Sequence, residues 1–182
     1  MHIQPIRTPI IQRDQDLLPI LVEALDEPLR SGDLLCITSK VVALAQGRVV
    51  ELSDIEPSPE ALKMRKLRYA KDFTAHPELA ELVLREADKI FVGEGGFVYL
   101  TLKEGIFIAN AGIDLSNAPD GHAILWPERP WAWAREFRAR LMAHDHLDEL
   151  GVLLTDSHVT PLRRGITGLA MAYAGFEGIE SE

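Results

Sequence analysis

Apolar residues recur at helical spacing along several stretches of the chain, which predicts amphipathic helices there. In residues 16–29 the apolar stripe consists of Leu17, Ile20, Leu21, Ala24 and Leu25. Residues 76–87 have a second such stripe, and residues 130–147 combine an apolar face with an arginine-rich one. We therefore expect helices in all three stretches.

Prolines and a capping serine mark where helices begin and end. Ser58 is a candidate N-cap, because Pro59 follows at the first helical position and Glu60 lies in the first turn. Residues 58–70 therefore predict another helix. Pro28 disfavours continuation of the helix predicted in residues 16–29.

Apolar runs rich in β-branched residues predict the strands. Residues 31–52 are interpreted as a strand, a short element that is either strand or helix, and another strand. Residues 89–113 predict three β segments separated by glycine-rich turns, and residues 122–127 form a short apolar run. Residues 151–155 predict a strand, followed by a polar loop and a run of small apolar residues. Strand groups and helix groups without regular βαβ alternation predict an α+β fold.

The composition fits one globular domain, residues 1–182. Hydrophobic residues make up 47% and charged residues 26% of the 182 positions, enough for a sizeable core. No stretch approaches the ~20 apolar residues of a membrane span, and the N-terminus does not resemble a secretory signal. Cys36 is the only cysteine, which excludes an internal disulfide and a cysteine-rich zinc site. We therefore expect a cytoplasmic protein without a membrane partner.

The net charge argues against nucleic acid as a partner. The chain carries 28 acidic and 19 basic residues, a formal net charge of −9 at pH 7. Such a surface repels phosphate backbones.

Two polar clusters follow predicted strands and are candidate metal ligands. Asp114 is followed by Ser116 and Asn117, and Asp156 by Ser157. Two carboxylates brought together would repel each other unless a cation lay between them, and oxygen-only ligands suit Mg²⁺ or Mn²⁺. The structural alternative is that each Asp is a turn former or a helix N-cap, which is the commoner role of an Asp at a strand end.

Arg163 follows the second cluster and suggests phosphate chemistry. Guanidinium groups match phosphate oxygens, so a metal held by carboxylates beside an arginine is a layout for phosphoryl transfer. Pairing with surface carboxylates is the alternative, above all for Arg164.

Several motifs, in a consistent order from residue 32 to the C-terminus, resemble the coenzyme F420-0:L-glutamate ligase (gamma-glutamyl ligase) family. They are "GDLLCITSKVVALAQGRVVEL", "IANAGIDLSNA", "ILWPERP" and "GVLLTDSHVTPLRRGITGLAMAYAGF". The segments "TSKVVAL", "LWP" and "DSHVTPLRRGITG" are most similar to the bacterial branch, often labelled folate-metabolism gamma-glutamate ligase.

This resemblance implies a fold, a reaction and a set of site residues. The fold is α+β, with a mixed, largely antiparallel sheet and helices. Members use GTP and divalent cations to phosphorylate a carboxylate, and the amine of L-glutamate then attacks the acyl phosphate to form an amide. Asp114 and Asp156 match the metal carboxylates, and Ser157 matches a residue beside the metal. Ser39 and Asn117 match nucleotide contacts, with a looser match at residues 8–11. The family also implies a homodimer.

The chain departs from the family pattern at two points. Leu44 stands where the F420 enzymes carry a lysine, and Lys40 lies four residues too early to replace it directly. We also expect the family's C-terminal portion to be absent, since F420 ligases run to roughly 250 residues.

Three functions remain open from the sequence. The first is a ligase that uses GTP or another nucleoside triphosphate, with Arg163 positioning phosphates. The second is a truncated, non-catalytic homologue that binds nucleotide or metal or acts as a subunit. The third is a small metal-dependent phosphatase, because a metal held by carboxylates also activates water.

Overall fold

The structure confirms the α+β class. It is a computed structural model that describes residues 2–66, 76–91, 98–159 and 162–179. The helices are α1 Leu17–Ala24, α2 Ser39–Ala45, α3 Pro59–Lys66, α4 Pro77–Glu86 and α5 Pro130–Asp145. The strands are β1 Leu34–Thr38, β2 Val49–Glu51, β3 Lys89–Phe91, β4 Leu100–Lys103, β5 Ile106–Ala109, β6 His122–Ile124, β7 Gly151–His158 and β8 Thr167–Ala174. No helix in the described ranges has both the length and the hydropathy of a membrane span.

The chain divides into two compact units. The first unit comprises Met1–Arg48, Pro127–Asp156 and Gly168–Glu182. The second comprises Val49–Trp126 and Ser157–Thr167.

The first unit contains most of a three-stranded sheet with the order β1-β7-β8. β1 and β7 are parallel, with Leu34 opposite Gly151 and Thr38 opposite Thr155. Leu35 and Ile37 are buried while their neighbours along β1 are exposed, as the two-residue period of a strand with one covered face requires. α1 packs against α5.

An ion pair joins the start of α1 to α5. Asp16 caps α1 by accepting a hydrogen bond from the Leu18 N–H at 3.1 Å, and Arg140 of α5 donates to the same carboxylate at 2.6 Å. The hydrogen bond from Arg140 is the main reason that the pKa of Asp16 lies below its ordinary value.

The second unit contains two antiparallel sheets and a helix pair. β2 pairs with β6, and β3, β4 and β5 form a meander. α3 packs against α4. The hydrophobic core between these elements contains Ala61, Met64, Leu79, Ala80, Leu82, Val83, Tyr99, Ala111, Ile113, Ala123 and Leu125.

Ser58 caps α3, as predicted, and Glu81 of α4 completes the cap. The Ser58 Oγ accepts a hydrogen bond from the Ala61 N–H at 3.2 Å, and the Ser58 N–H donates to Glu81 Oε2 at 2.9 Å. Arg85 donates to Glu81 Oε1 at 2.9 Å. Hydrogen bonds from Ser58, and then from Arg85, hold the pKa of this buried carboxyl below its ordinary value.

We expect Glu81→Gln to lower the free energy of unfolding at pH 7 by about 2 kcal/mol, because hydrogen bonds to a charged acceptor are lost. A carboxyl with a lowered pKa stabilises the fold fully above its ordinary pKa of 4.5, and this contribution disappears as the pH falls through the folded-state pKa. The difference between wild type and variant should therefore shrink below pH 4.5 in urea titrations. Glu60→Gln, at an exposed carboxylate of α3, controls for the lost charge; a difference that is constant with pH would contradict the expectation.

Three details differ from the sequence-based expectations or complete them. The open element in residues 31–52 is a helix, α2, which buries Val42 and Ala43. β7 does not end at residue 155 but runs to His158, so Asp156 lies within a strand and not in a loop. β5 ends at Ala109, and a 3₁₀ turn over Asn110–Gly112 separates it from Asp114. Parts of the predicted elements, residues 67–70 and 92–97, lie outside the described residues.

Candidate functional site

The parallel pairing of β1 and β7 brings residues from distant parts of the sequence to one edge of the first unit's sheet. Parallel strands have their carboxyl ends at the same edge, and the last paired residues are Thr38 and Thr155. Ser39 follows Thr38 and Asp156 follows Thr155, so Ser39 and Asp156 are neighbours at this edge. Ser39 is also the first residue of α2, so a strand end and a helix start fix its position.

Ser39, Lys40 and Asp156 form a compact hydrogen-bonded cluster. The Ser39 Oγ donates to Asp156 Oδ2 at 2.8 Å, and the Lys40 Nζ donates to the same oxygen at 2.9 Å. The Lys40 Nζ also lies 3.3 Å from the Ser39 Oγ. The Lys40 and Asp156 side chains are only 13% and 10% exposed, and Ser39 is fully buried. The cluster is thus an oriented carboxylate whose charge is balanced by an ammonium group in a largely dry environment.

Lys40 is the member of this cluster that sequence reasoning missed. In the family pattern Lys40 is only a poor substitute for the lysine expected at position 44. The one indication in the sequence is that Lys40 follows Ser39 at the end of a predicted strand. This position points to a role near Asp156 only when the pairing of β1 with β7 is known.

Asp114 is held by the polar residues that follow it in the second unit. Its Oδ1 accepts hydrogen bonds from the Ser116 N–H and from the Ser116 Oγ, both at 2.7 Å. Its Oδ2 accepts from the Asn117 Nδ2 at 2.7 Å. The backbone of Asp114 forms an isolated antiparallel bridge with Ile124. Asp114 is therefore a turn former, the structural alternative, and its carboxylate is also fixed in orientation.

Ser157 and Arg163 are exposed in the structure. Ser157 lies in β7 between Asp156 and His158. The His158 Nε2 donates to the carbonyl oxygen of Phe107 at 2.7 Å, and this nitrogen carries the proton because a carbonyl only accepts. His158 therefore anchors the end of β7 to β5.

The structure brings some predicted site residues together and leaves other pairings as predictions. Ser39 contacts Asp156, and Asn117 contacts Asp114. Asp114 and Asp156 belong to different units, so their convergence stays a prediction. The metal and nucleotide roles of the other five candidates, and the role of Arg163, also stay predictions.

The donor chemistry of the two aspartates fits a hard divalent cation. Each carboxylate is oriented by hydrogen bonds, as metal-binding carboxylates usually are. Within the described part of the chain, no group of three or more His, Cys, Asp or Glu side chains forms a metal site. Mg²⁺ is commonly held by only one or two carboxylates together with water and substrate phosphates, so a site that contains few protein ligands is the expected kind.

Archaeal ligases are similar to this chain over nearly all of its length. The coenzyme F420:L-glutamate ligase of Methanopyrus kandleri is 38% identical over 91% of this chain and 62% of the relative. The enzyme of that name from Methanothermobacter thermautotrophicus is 33% identical over 94% of the chain and 67% of the relative. The one from Haloarcula marismortui is 34% identical over 92% and 64%. The chain thus spans less than two thirds of the first and third relatives.

The family expectation is confirmed, while the bacterial branch stays a prediction, because these relatives are archaeal. The profile of the F420-0:Gamma-glutamyl ligase family matches residues 5–182. This match covers both units, including the Ser39–Asp156 cluster and the Asp114 turn. The chain belongs to the F420-0:Gamma-glutamyl ligase family.

Proposed function

We propose that this chain is a ligase that couples L-glutamate to a small carboxylate substrate, using GTP or another nucleoside triphosphate and a divalent cation. The names of its relatives support glutamate as a substrate. The observation that carries the proposal is the Ser39–Lys40–Asp156 cluster, which presents an oriented, charge-balanced carboxylate at the carboxyl edge of two parallel strands. Loops and chain segments at this edge commonly build nucleotide sites in sheets with parallel strands.

The proposed reaction proceeds through an acyl phosphate. A carboxylate oxygen of the acceptor attacks the γ-phosphorus, and the nucleoside diphosphate leaves. The amine nitrogen of glutamate then attacks the acyl carbon, loses a proton, and displaces inorganic phosphate to leave an amide. Water must be kept from the acyl phosphate during this sequence, since hydrolysis would waste the triphosphate.

The residues of the chain have distinct proposed roles. A bound Mg²⁺ or Mn²⁺ would neutralise charge on the transferring phosphoryl group. Asp114 and Asp156 contribute carboxylate ligands, and Ser157 contributes a hydroxyl. Asn117 and Arg163 bind phosphate oxygens of the nucleotide.

Ser39 would serve the nucleotide site in two ways. Its Oγ donates to Asp156 and so orients that carboxylate. The nucleotide contact implied by the family resemblance is a further part of the proposal. We also propose a homodimer and a cytoplasmic location, where nucleoside triphosphates and Mg²⁺ are supplied.

An isotope experiment tests the reaction directly. The purified chain would be incubated with Mn²⁺, GTP, L-glutamate and a coenzyme F420 precursor whose acceptor carboxylate is labelled with ¹⁸O. Through an acyl phosphate, one ¹⁸O atom moves to the released phosphate while an amide forms, and both products require glutamate. Mass spectrometry of phosphate and amide gives the result.

The other outcomes identify the alternatives. Unlabelled phosphate released without glutamate would indicate a phosphatase. Nucleotide binding by calorimetry without turnover of any carboxylate acceptor would indicate a non-catalytic homologue. Either result would overturn the ligase proposal.

Asp114→Asn should abolish the rise in melting temperature that Mn²⁺ produces in the wild type, because a ligand carboxylate is lost. The metal-free variant should melt only about 2–4 °C lower, since the turn loses one hydrogen-bond acceptor, worth about 1 kcal/mol. Scanning calorimetry with and without Mn²⁺ measures both quantities. Asp120→Asn removes an exposed carboxylate nearby and should keep the full rise; an equal rise in Asp114→Asn would place the metal elsewhere.

A further inference from the structure

The Lys40 ammonium group pairs directly with the carboxylate of Asp156. Its Nζ lies 2.9 Å from Asp156 Oδ2, and both side chains are almost nine-tenths buried. A carboxylate in so dry an environment needs a compensating positive charge, because transfer of an unpaired charge from water is costly. Lys40 contributes that charge.

A divalent cation at the same carboxylate would conflict with this arrangement. Two positive groups within a few ångströms repel each other strongly where water is scarce. Oδ2 already accepts hydrogen bonds from Ser39 and Lys40, so a cation that binds this oxygen must displace one of them. Repulsion makes Lys40, and not the neutral Ser39, the group that leaves.

We infer that Lys40 is a positioning residue that holds Asp156 while no divalent cation is bound and releases Oδ2 when one binds. This inference rests on the proposed function only in that Asp156 binds the metal. Lys40 thereby keeps the carboxylate oriented before binding, and competition with Lys40 lowers the affinity for the metal. The released ammonium group is then available near the same edge of the sheet.

The second unit offers a matched ion pair for comparison. The Lys103 Nζ lies 3.3 Å from Glu86 Oε2, and the two side chains are 16% and 15% exposed. Lys103 also donates to the Glu86 carbonyl oxygen at 2.6 Å. Removal of the Lys103 ammonium group therefore breaks a similarly buried ion pair. The carboxylate of that pair, Glu86, is not a proposed metal ligand.

Metal binding to lysine variants tests the inference. Mn²⁺ affinity would be measured by titration calorimetry, and melting temperature with and without Mn²⁺, for wild type, Lys40→Met and Lys103→Met. We expect Lys40→Met to melt lower without metal but to bind Mn²⁺ on the order of tenfold more tightly, so that Mn²⁺ raises its melting temperature by more than in wild type. Lys103→Met should also melt lower, with unchanged Mn²⁺ affinity. Lys40→Gln retains a hydrogen-bond donor without charge and gives the same test if Lys40→Met does not fold.

Each result has one meaning. Equal or weaker Mn²⁺ affinity in the neutral Lys40 variants would overturn the inference and leave the proposed function standing, provided that Asp156→Asn abolishes binding. If wild type and the Lys40 variants all fail to bind Mn²⁺, both the inference and the metal part of the proposed function are wrong. A tenfold gain shared by Lys103→Met would show a general loosening of the fold and would also overturn the inference.

Discussion

Asp156→Asn is expected to lower the free energy of unfolding by about 3 kcal/mol and to abolish ligase activity. The stability loss follows because the Lys40 ammonium, 13% exposed, would lose its counter-ion in an environment where an unpaired charge is costly. The activity loss follows from the proposed role of Asp156 as a metal ligand. Urea unfolding at pH 7 and the amide-forming assay measure the two effects. A loss below 1 kcal/mol would contradict the importance of this ion pair.

A double variant separates the ion pair from the two individual side chains. When Asp156→Asn and Lys40→Met are combined, no unpaired charge remains. The double variant should therefore lose about 2 kcal/mol less free energy of unfolding than the sum of the two single losses. Glu86→Gln is the control for activity. It breaks an ion pair of similar burial in the second unit and should lower stability without abolishing the reaction.

Gly112→Ala is expected to lower the free energy of unfolding by about 3 kcal/mol. Gly112 has a φ of +73°, which L-residues rarely adopt, and an added Cβ would lie 2.8 Å from Trp126 Cζ3 and still closer to Cε3. Trp126 is 1% exposed, so its indole has no room to move away. The energetic costs of the strained backbone and of overpacking against Trp126 therefore add together. Urea unfolding measures the loss.

Gly105→Ala is the matched control for this variant. Gly105 has a φ of +77°, but an added Cβ would meet no atom within 4 Å. Its loss should be only about 1 kcal/mol, the cost of the backbone conformation alone. Because Gly112 lies two residues before Asp114, Gly112→Ala should also weaken Mn²⁺ binding, whereas Gly105→Ala should not. Equal losses in both variants would mean that contact with Trp126 is unimportant.

Local patterns in the sequence predicted the local parts of the structure. The cap of α3 at Ser58 depends on residues three positions apart, and the turn at Asp114 depends on residues two and three positions apart. Side chains so close in sequence have few ways to meet, so their types and spacing carry most of the information. The same holds for α4, Pro77–Glu86, which lies within the predicted stretch of residues 76–87.

Non-local pairing limited the prediction of the candidate site. The alternation of β1 could be recognised, but its pairing with β7 could not, since nothing in a single sequence sets the register of two parallel strands. β1 pairs with β7 only up to Thr155, so the extension of β7 past this residue depends on its other neighbour, β8. For this reason Asp156 was expected in a loop, and Lys40 was given no role. The helical state of α2 likewise depends on burial of Val42 and Ala43, which overrides the strand preference of valine.

The distance in sequence between β1 and β7 has a consequence for synthesis on the ribosome. Ser39 and Asp156 are 117 positions apart, whereas the β3–β4–β5 meander closes over neighbouring segments. Contacts between residues so far apart in sequence form slowly, because the conformational entropy of the long intervening segment must be lost before the contact is made. During translation β1 therefore stays without its partner strand until residues 151–155 have been synthesised.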